Sequence, residues 1–132
     1  MNSIGKKRVL IVEDVDEMRF ILSMTLDATE TFQASAVARN GWEARLELSR
    51  NRPDLVLMDE VLPGESSWDL IKAFFETSVP VILMTSMDEA KHEMSPEAKG
   101  RLMKPMGRNL QNEAKILEAA TAKLLGASTC SR

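Results

Sequence analysis

The chain has 132 residues, the size of one domain, enough to bury roughly two thirds of its unfolded surface around a single core. It is 44% hydrophobic and 28% charged, with no tyrosine, which is ordinary for a soluble globular domain. Seventeen basic and twenty acidic side chains give a net charge of −3 without a cationic stripe, so nucleic acid is excluded as an expected direct partner.

The opening "GKKRVLIV" is positive and then apolar, like the start of a secretory signal. Its apolar run is four residues long and meets Glu13 and Asp14 at once, so it is not read as one. No stretch approaches the ~20 apolar residues that a membrane span requires, and the expected location is the cytoplasm. The single Cys130 has no partner for an internal disulfide and suits a reducing compartment.

In chain order, Val9 to Val12 is the first short, unbroken apolar run, the pattern of a strand covered on both faces of a parallel sheet. Met18, Ile21, Leu22 and Thr25/Leu26 follow at helical spacing. "FQASAV" (32–37) reads as a second strand. "GWEARLELSRN" alternates like a strand at Trp42, Ala44, Leu46 and Leu48. Its Ala, Arg, Glu and Leu content nevertheless favours helix, closed by Asn51 to Pro53. Leu55 to Met58 is a third strand, and Leu70, Ile71, Phe74 and Phe75 mark the next helix. Val79 to Met84 is a fourth strand and "RLM" (101–103) a short fifth. Leu110, Ala114, Leu117, Thr121 and Leu124 carry the last helix. The alternation reads β-α five times over: a five-stranded α/β, doubly wound parallel sheet with right-handed crossovers. The domain is expected to span 1–126, with 127–132 an unstructured tail. Trp42 and Trp68 read as partly buried anchors, and His92 as a solvated side chain.

Two of these strands end in paired carboxylates, Glu13–Asp14 and Asp59–Glu60. In an open parallel sheet, ligands bind beyond the carboxyl ends of the strands. If the first and third strands are neighbours, Glu13, Asp14 and Asp59 converge. Like charges about 4 Å apart repel by about 4 kcal/mol per pair at an effective dielectric near 20, so cations must offset them. Mg2+ suits a shell of carboxylate oxygens and water, shared with a phosphoryl group. The fourth strand ends in the hydroxyl of Thr85, and the fifth leads to the ammonium of Lys104. A carboxylate nucleophile, an acidic metal pair, a hydroxyl and a lysine make a phosphoryl-transfer constellation, with Asp59 attacking in line.

"VLIVEDVDEMR", "PDLVLMDEVLPG", "VPVILMTS" and "LMKP" occur in this order, and with them the chain resembles the receiver domain of two-component response regulators from Lys7 to about Leu125. The resemblance implies a flavodoxin-like sheet of order 2-1-3-4-5. It also implies Asp59 as acceptor of phosphate from a sensor histidine kinase or histidine phosphotransfer protein. Glu13 and Asp14 match the acidic metal pair, with the Val61 backbone carbonyl as a further ligand. Thr85 matches the hydroxyl that moves onto the phosphoryl group, and Lys104 the family's lysine. Lys104–Pro105 falls where such domains have a cis peptide bond.

The chain departs from the pattern in places. Arg101 stands where an aromatic switch residue is usual, and together with Pro105 it marks the expected switch or partner surface. Arg101 is expected to stay exposed there, as a contact for an acidic partner. Pro96 interrupts what should be the fourth helix. Val61 and Met87 are apolar where polar groups would orient a hydrolytic water, which implies a long-lived phosphorylated state. With no output domain expected within the chain, the signal would pass to a separate effector protein.

Two rivals remain open on sequence. One is a phosphorylation-independent binding module on the same scaffold. The other is an aspartyl-phosphate hydrolase, for which Val61 stands where a general-acid aspartate is usual. No glycine-rich phosphate loop follows the first strand, as a dinucleotide-binding protein would need.

Overall fold

The structure is a computed structural model that describes residues 5–64, 66–86 and 93–130, with side chains to residue 126. In chain order the elements are β1 (Lys7–Val12), α1 (Asp16–Asp27), β2 (Phe32–Ala38), α2 (Gly41–Arg50), β3 (Leu55–Asp59), α3 (Ser67–Glu76), β4 (Val81–Thr85), β5 (Gly100–Met103) and α4 (Leu110–Cys130). The strands form one parallel sheet in the order β2-β1-β3-β4-β5.

Unbroken apolar strands follow from cover on both faces. Leu10, Val12, Val56, Met58, Val81 and Leu83 point to the side carrying Ala44 of α2 and Leu70, Ile71 and Phe74 of α3. Their alternates Val9, Ile11, Leu55, Leu57, Ile82 and Met84 point to Leu22 and Leu26 of α1 and Leu117 of α4. Each strand therefore contributes to two cores at a period of two. The segment that alternated like a strand is helix α2, started by Asn40, whose side chain accepts a hydrogen bond from the Glu43 N–H.

The expected fourth helix falls mostly on 87–92, which lie outside the described residues; the described 93–99 form turns that lead into β5. The final helix does not end at 126 but continues to Cys130. Trp42, 71% exposed, is not the anchor expected, whereas Trp68, 45% exposed, is partly buried. In α2 the positions turned inward hold Gly41 and Ala44, and a helix with 3.6 residues per turn sends their neighbour Trp42 outward.

Candidate functional site

The carboxyl ends of β1 and β3 lie side by side, because Val12 pairs with Met58. The next residues along each strand are thereby brought together. Among the described residues Glu13, Asp14 and Asp59 each offer a carboxylate oxygen, and the three atoms lie within 4.8 Å of one another. Glu13 and Asp59 are buried and Asp14 is exposed. Lys104 reaches in from the end of β5, its Nζ 3.1 Å from Glu13 Oε1 and 3.3 Å from Asp59 Oδ2.

Local backbone structure holds these groups. The Glu13 N–H donates to the Ala38 carbonyl at 2.9 Å, and the Val15 N–H donates to Glu13 Oε2 at 3.1 Å. The Val61 N–H donates to Asp59 Oδ1 at 3.1 Å, so the chain after β3 folds over the Asp59 carboxylate. The Lys104 N–H donates to the Thr85 carbonyl at 2.9 Å, which ties the lysine to the end of β4. Thr85 is buried beside this cluster, but its hydroxyl donates to the Ser86 carbonyl at 2.9 Å.

Electrostatics follow from that geometry. Burial, and next the Asp59 charge, push the Glu13 carboxyl above the ordinary 4.5. Burial alone would lower the Lys104 pKa, yet Asp59 and Glu13 together raise it above 10.5. One ammonium thus serves two buried carboxylates and leaves an excess of negative charge. Among the described residues Glu13 Oε1 is buried with no well-aligned hydrogen bond, and the Lys104 ammonium 3.1 Å away is its counter-charge. An under-served oxygen among hard oxygen donors fits Mg2+, which takes carboxylates and water.

The remaining candidates lie apart from this cluster. Pro105 lines a groove of about 430 Å³ between β5 and α4, with Met103, Met106 and Ile116 along it. No peptide bond among the described residues is cis, Lys104–Pro105 included, which corrects that expectation. Trans is favoured even before proline, by roughly 0.5–1 kcal/mol. Met87 lies outside the described residues.

Arg101 is not the exposed cation expected. Its side chain is 22% exposed, and it clasps Glu60, which is 5% exposed. Nε donates to Oε1 at 2.9 Å and the second nitrogen donates to Oε2. Hydrogen bonding to Glu60 raises the guanidinium pKa further. The two carboxylates at the end of β3 are thereby explained. Successive residues of a strand point to opposite faces, so Asp59 meets Lys104 while Glu60 meets Arg101. Glu60 was not singled out from the sequence; its only signal was a second acid at a strand end.

Comparison with known proteins bears on this arrangement. The family model of the response regulator receiver domain matches residues 9–115. The chain belongs to this family. Among curated relatives, the protein-glutamate methylesterase/protein-glutamine glutaminase of Oceanobacillus iheyensis is 29% identical over 133 residues, covering 90% of this chain and 38% of that protein. The sensory transduction protein RegX3 of Mycolicibacterium smegmatis is 41% identical over 81 residues, covering 61% and 35%. The receiver domain thus spans little more than a third of either relative. Among solved structures, the complex of the CheA3 P1 domain with CheY6 from R. sphaeroides matches with a TM-score of 0.76 at 22% identity, over 92% of this chain and 98% of that one. At that identity the likeness concerns the fold. The chain is therefore a two-component receiver domain with an acidic cluster suited to Mg2+, and no described helix is long and apolar enough to cross a membrane.

Proposed function

We propose that this receiver domain accepts a phosphoryl group on Asp59 from the phosphohistidine of a sensor histidine kinase or histidine phosphotransfer protein. In the transfer the P–N bond to histidine breaks and a P–O bond to Asp59 forms, and the proton balance is met at the departing imidazole. The observation that supports this best is the meeting of Asp59 with Glu13, Asp14 and Lys104 at one end of the sheet. Lys104 offsets negative charge on the transferring group and orients the acceptor carboxylate. Glu13, Asp14, Asp59 and the Val61 carbonyl would hold Mg2+, which when bound supplies charge neutralisation to the phosphoryl oxygens. Thr85, at the end of the neighbouring strand β4, is the hydroxyl assigned to meet the phosphoryl group.

A partner of the histidine-kinase kind accords with the CheY6 complex, which contains the P1 domain of CheA3. The output is a changed surface for an effector protein, in the cytoplasm. Beyond its own phosphorylation and dephosphorylation the domain is not an enzyme. The deciding experiment is incubation with a small phosphodonor and Mg2+, followed by intact-mass measurement. Wild type should gain one phosphoryl group, and Asp59→Asn none; a mass gain that survives in Asp59→Asn removes Asp59 as the acceptor.

One observation favours a second reading, a binding module that works without phosphorylation: Arg101 is engaged by Glu60. Partner capture that is the same for wild type and Asp59→Asn, with and without phosphodonor, would select it.

A further inference from the structure

Lys104 stands where β5 gives way to an irregular stretch before α4, yet its ammonium must hold a place 3.1 and 3.3 Å from two carboxylates. A lysine side chain carries about 2 kcal/mol of rotamer entropy, so an unanchored backbone would let the ammonium drift. The anchors can be followed donor by donor. The N–H of Lys104 itself goes to the Thr85 carbonyl, and Pro105 has none. The next two, Met106 and Gly107, both donate to the carboxylate of Glu113, one to each oxygen, at 2.9 Å. Charge-assisted bonds of this kind are the stronger sort.

Glu113 is itself well placed to act as an anchor. It lies in the first turn of α4. Its N–H donates to the Asn109 carbonyl, and the Asn109 side chain accepts from the Asn112 N–H at 3.0 Å. The turn it grips includes Gly107 at φ +78°, where a Cβ would stand 3.2 Å from Ile21 Cδ1 of α1. Such a backbone is open to glycine and strained for other residues.

We propose that Glu113 is a positioning residue for Lys104: by fixing the Met106–Gly107 turn it holds the lysine ammonium between Glu13 and Asp59. Glu113 acts through the backbone and need not touch the phosphoryl group. This rests on Asp59 as phosphoacceptor for its kinetic consequence, but not for its geometric one.

Two measurements test it. Phosphorylation of Asp59 by acetyl phosphate with Mg2+ is timed by intact mass in wild type, Glu113→Ala, Lys104→Met and the double variant. Glu113→Ala should slow the reaction about tenfold, the usual size of a positioning defect beside a metal site. It should slow the Lys104→Met protein no further, because the group it positions is gone. Equal slowing in both backgrounds, or none in either, overturns the proposal. Separately, carbon and proton NMR of the Lys104 Cε group reads its placement without any phosphoryl transfer. In Glu113→Ala these resonances should move to the values of the exposed Lys115 and Lys123; resonances unmoved from wild type overturn the proposal even if the domain accepts no phosphate. Should Glu113→Ala fail to fold, Glu113→Gln serves in both measurements. Its amide oxygen serves one N–H and abandons the other, so a smaller shift in the same direction is expected, and no shift overturns the proposal.

Discussion

Glu60 and Arg101, 41 positions apart, close a two-point clasp between the end of β3 and the start of β5. β4 lies between those strands in the sheet, so the side chains span it. Arg101 stands opposite Leu83 of β4, and the Glu60 N–H donates to the Met84 carbonyl.

The two partners should not be equally costly to remove. Glu60 is nearly buried and Arg101 keeps a path to solvent. Arg101→Leu strands a charged carboxylate in the interior, whereas Glu60→Leu leaves a guanidinium that can turn to water. Thermal unfolding should show the larger loss for Arg101→Leu, and Glu60→Leu with Arg101→Leu together should recover part of it. An equal loss from either single change would show that the carboxylate is not confined as described.

Asp14 offers a different separation of effects. It is exposed and lies among like charges, so Asp14→Asn should leave the metal-free protein as stable as wild type or slightly more so. Mg2+ affinity, followed by calorimetric titration, should fall about tenfold with the loss of a charged oxygen. Unchanged affinity would remove Asp14 from the ligand set.

Acid should weaken Mg2+ binding earlier than ordinary carboxylates predict. Glu13 must be ionised to serve a metal, and burial together with Asp59 raises its pKa above 4.5. As pH falls through that raised value Glu13 takes up a proton, and the proton competes with the ion. Lys104, with its pKa raised above 10.5, stays charged throughout. Mg2+ titrations from pH 7 downward should therefore lose affinity before pH reaches 4.5. A curve flat down to 4.5 would contradict the raised pKa.

Thr121 is fully buried on α4, and its hydroxyl has no hydrogen-bond partner among the described residues. Thr121→Val exchanges that hydroxyl for a methyl of similar size, removing a buried polar group that nothing satisfies. Stability in denaturant titration should rise by about 1 kcal/mol; a fall would mean that the hydroxyl has a partner.

Much of this was legible before any coordinates. β1, β3 and β4 announced themselves because both their faces are covered, which leaves no polar interruption in the sequence. The convergence of Glu13, Asp14, Asp59 and Lys104 could be anticipated because parallel strands deliver their ends to one edge, once the resemblance had supplied a strand order that makes β1 and β3 neighbours. The clasp between Glu60 and Arg101 could not be found this way. It depends on which face each residue takes and on a long side chain crossing β4. The grip of Glu113 on the turn after Lys104 was hidden for another reason: an acid in the first turn of a helix is favourable for the dipole alone. Trp42 misled because size suggests burial, while helical phase gave the inward positions to Gly41 and Ala44.

The space beside Gly107 is closed by Ile21, whose Cδ1 an added Cβ would meet at 3.2 Å, and this would extend the proposed support of the lysine to an element that carries none of the charged cluster. Ile21 lies in the second turn of α1 and reads in sequence as one more apolar position on a stripe. Its tip lies beneath the turn that Glu113 grips. A bulkier or smaller side chain at position 21 would lift or drop that turn, and the lysine with it, without altering any charge. On the proposed reading of Asp59 and Glu113, the rate of phosphorylation would therefore respond to substitutions that pass for routine repacking of the hydrophobic interior.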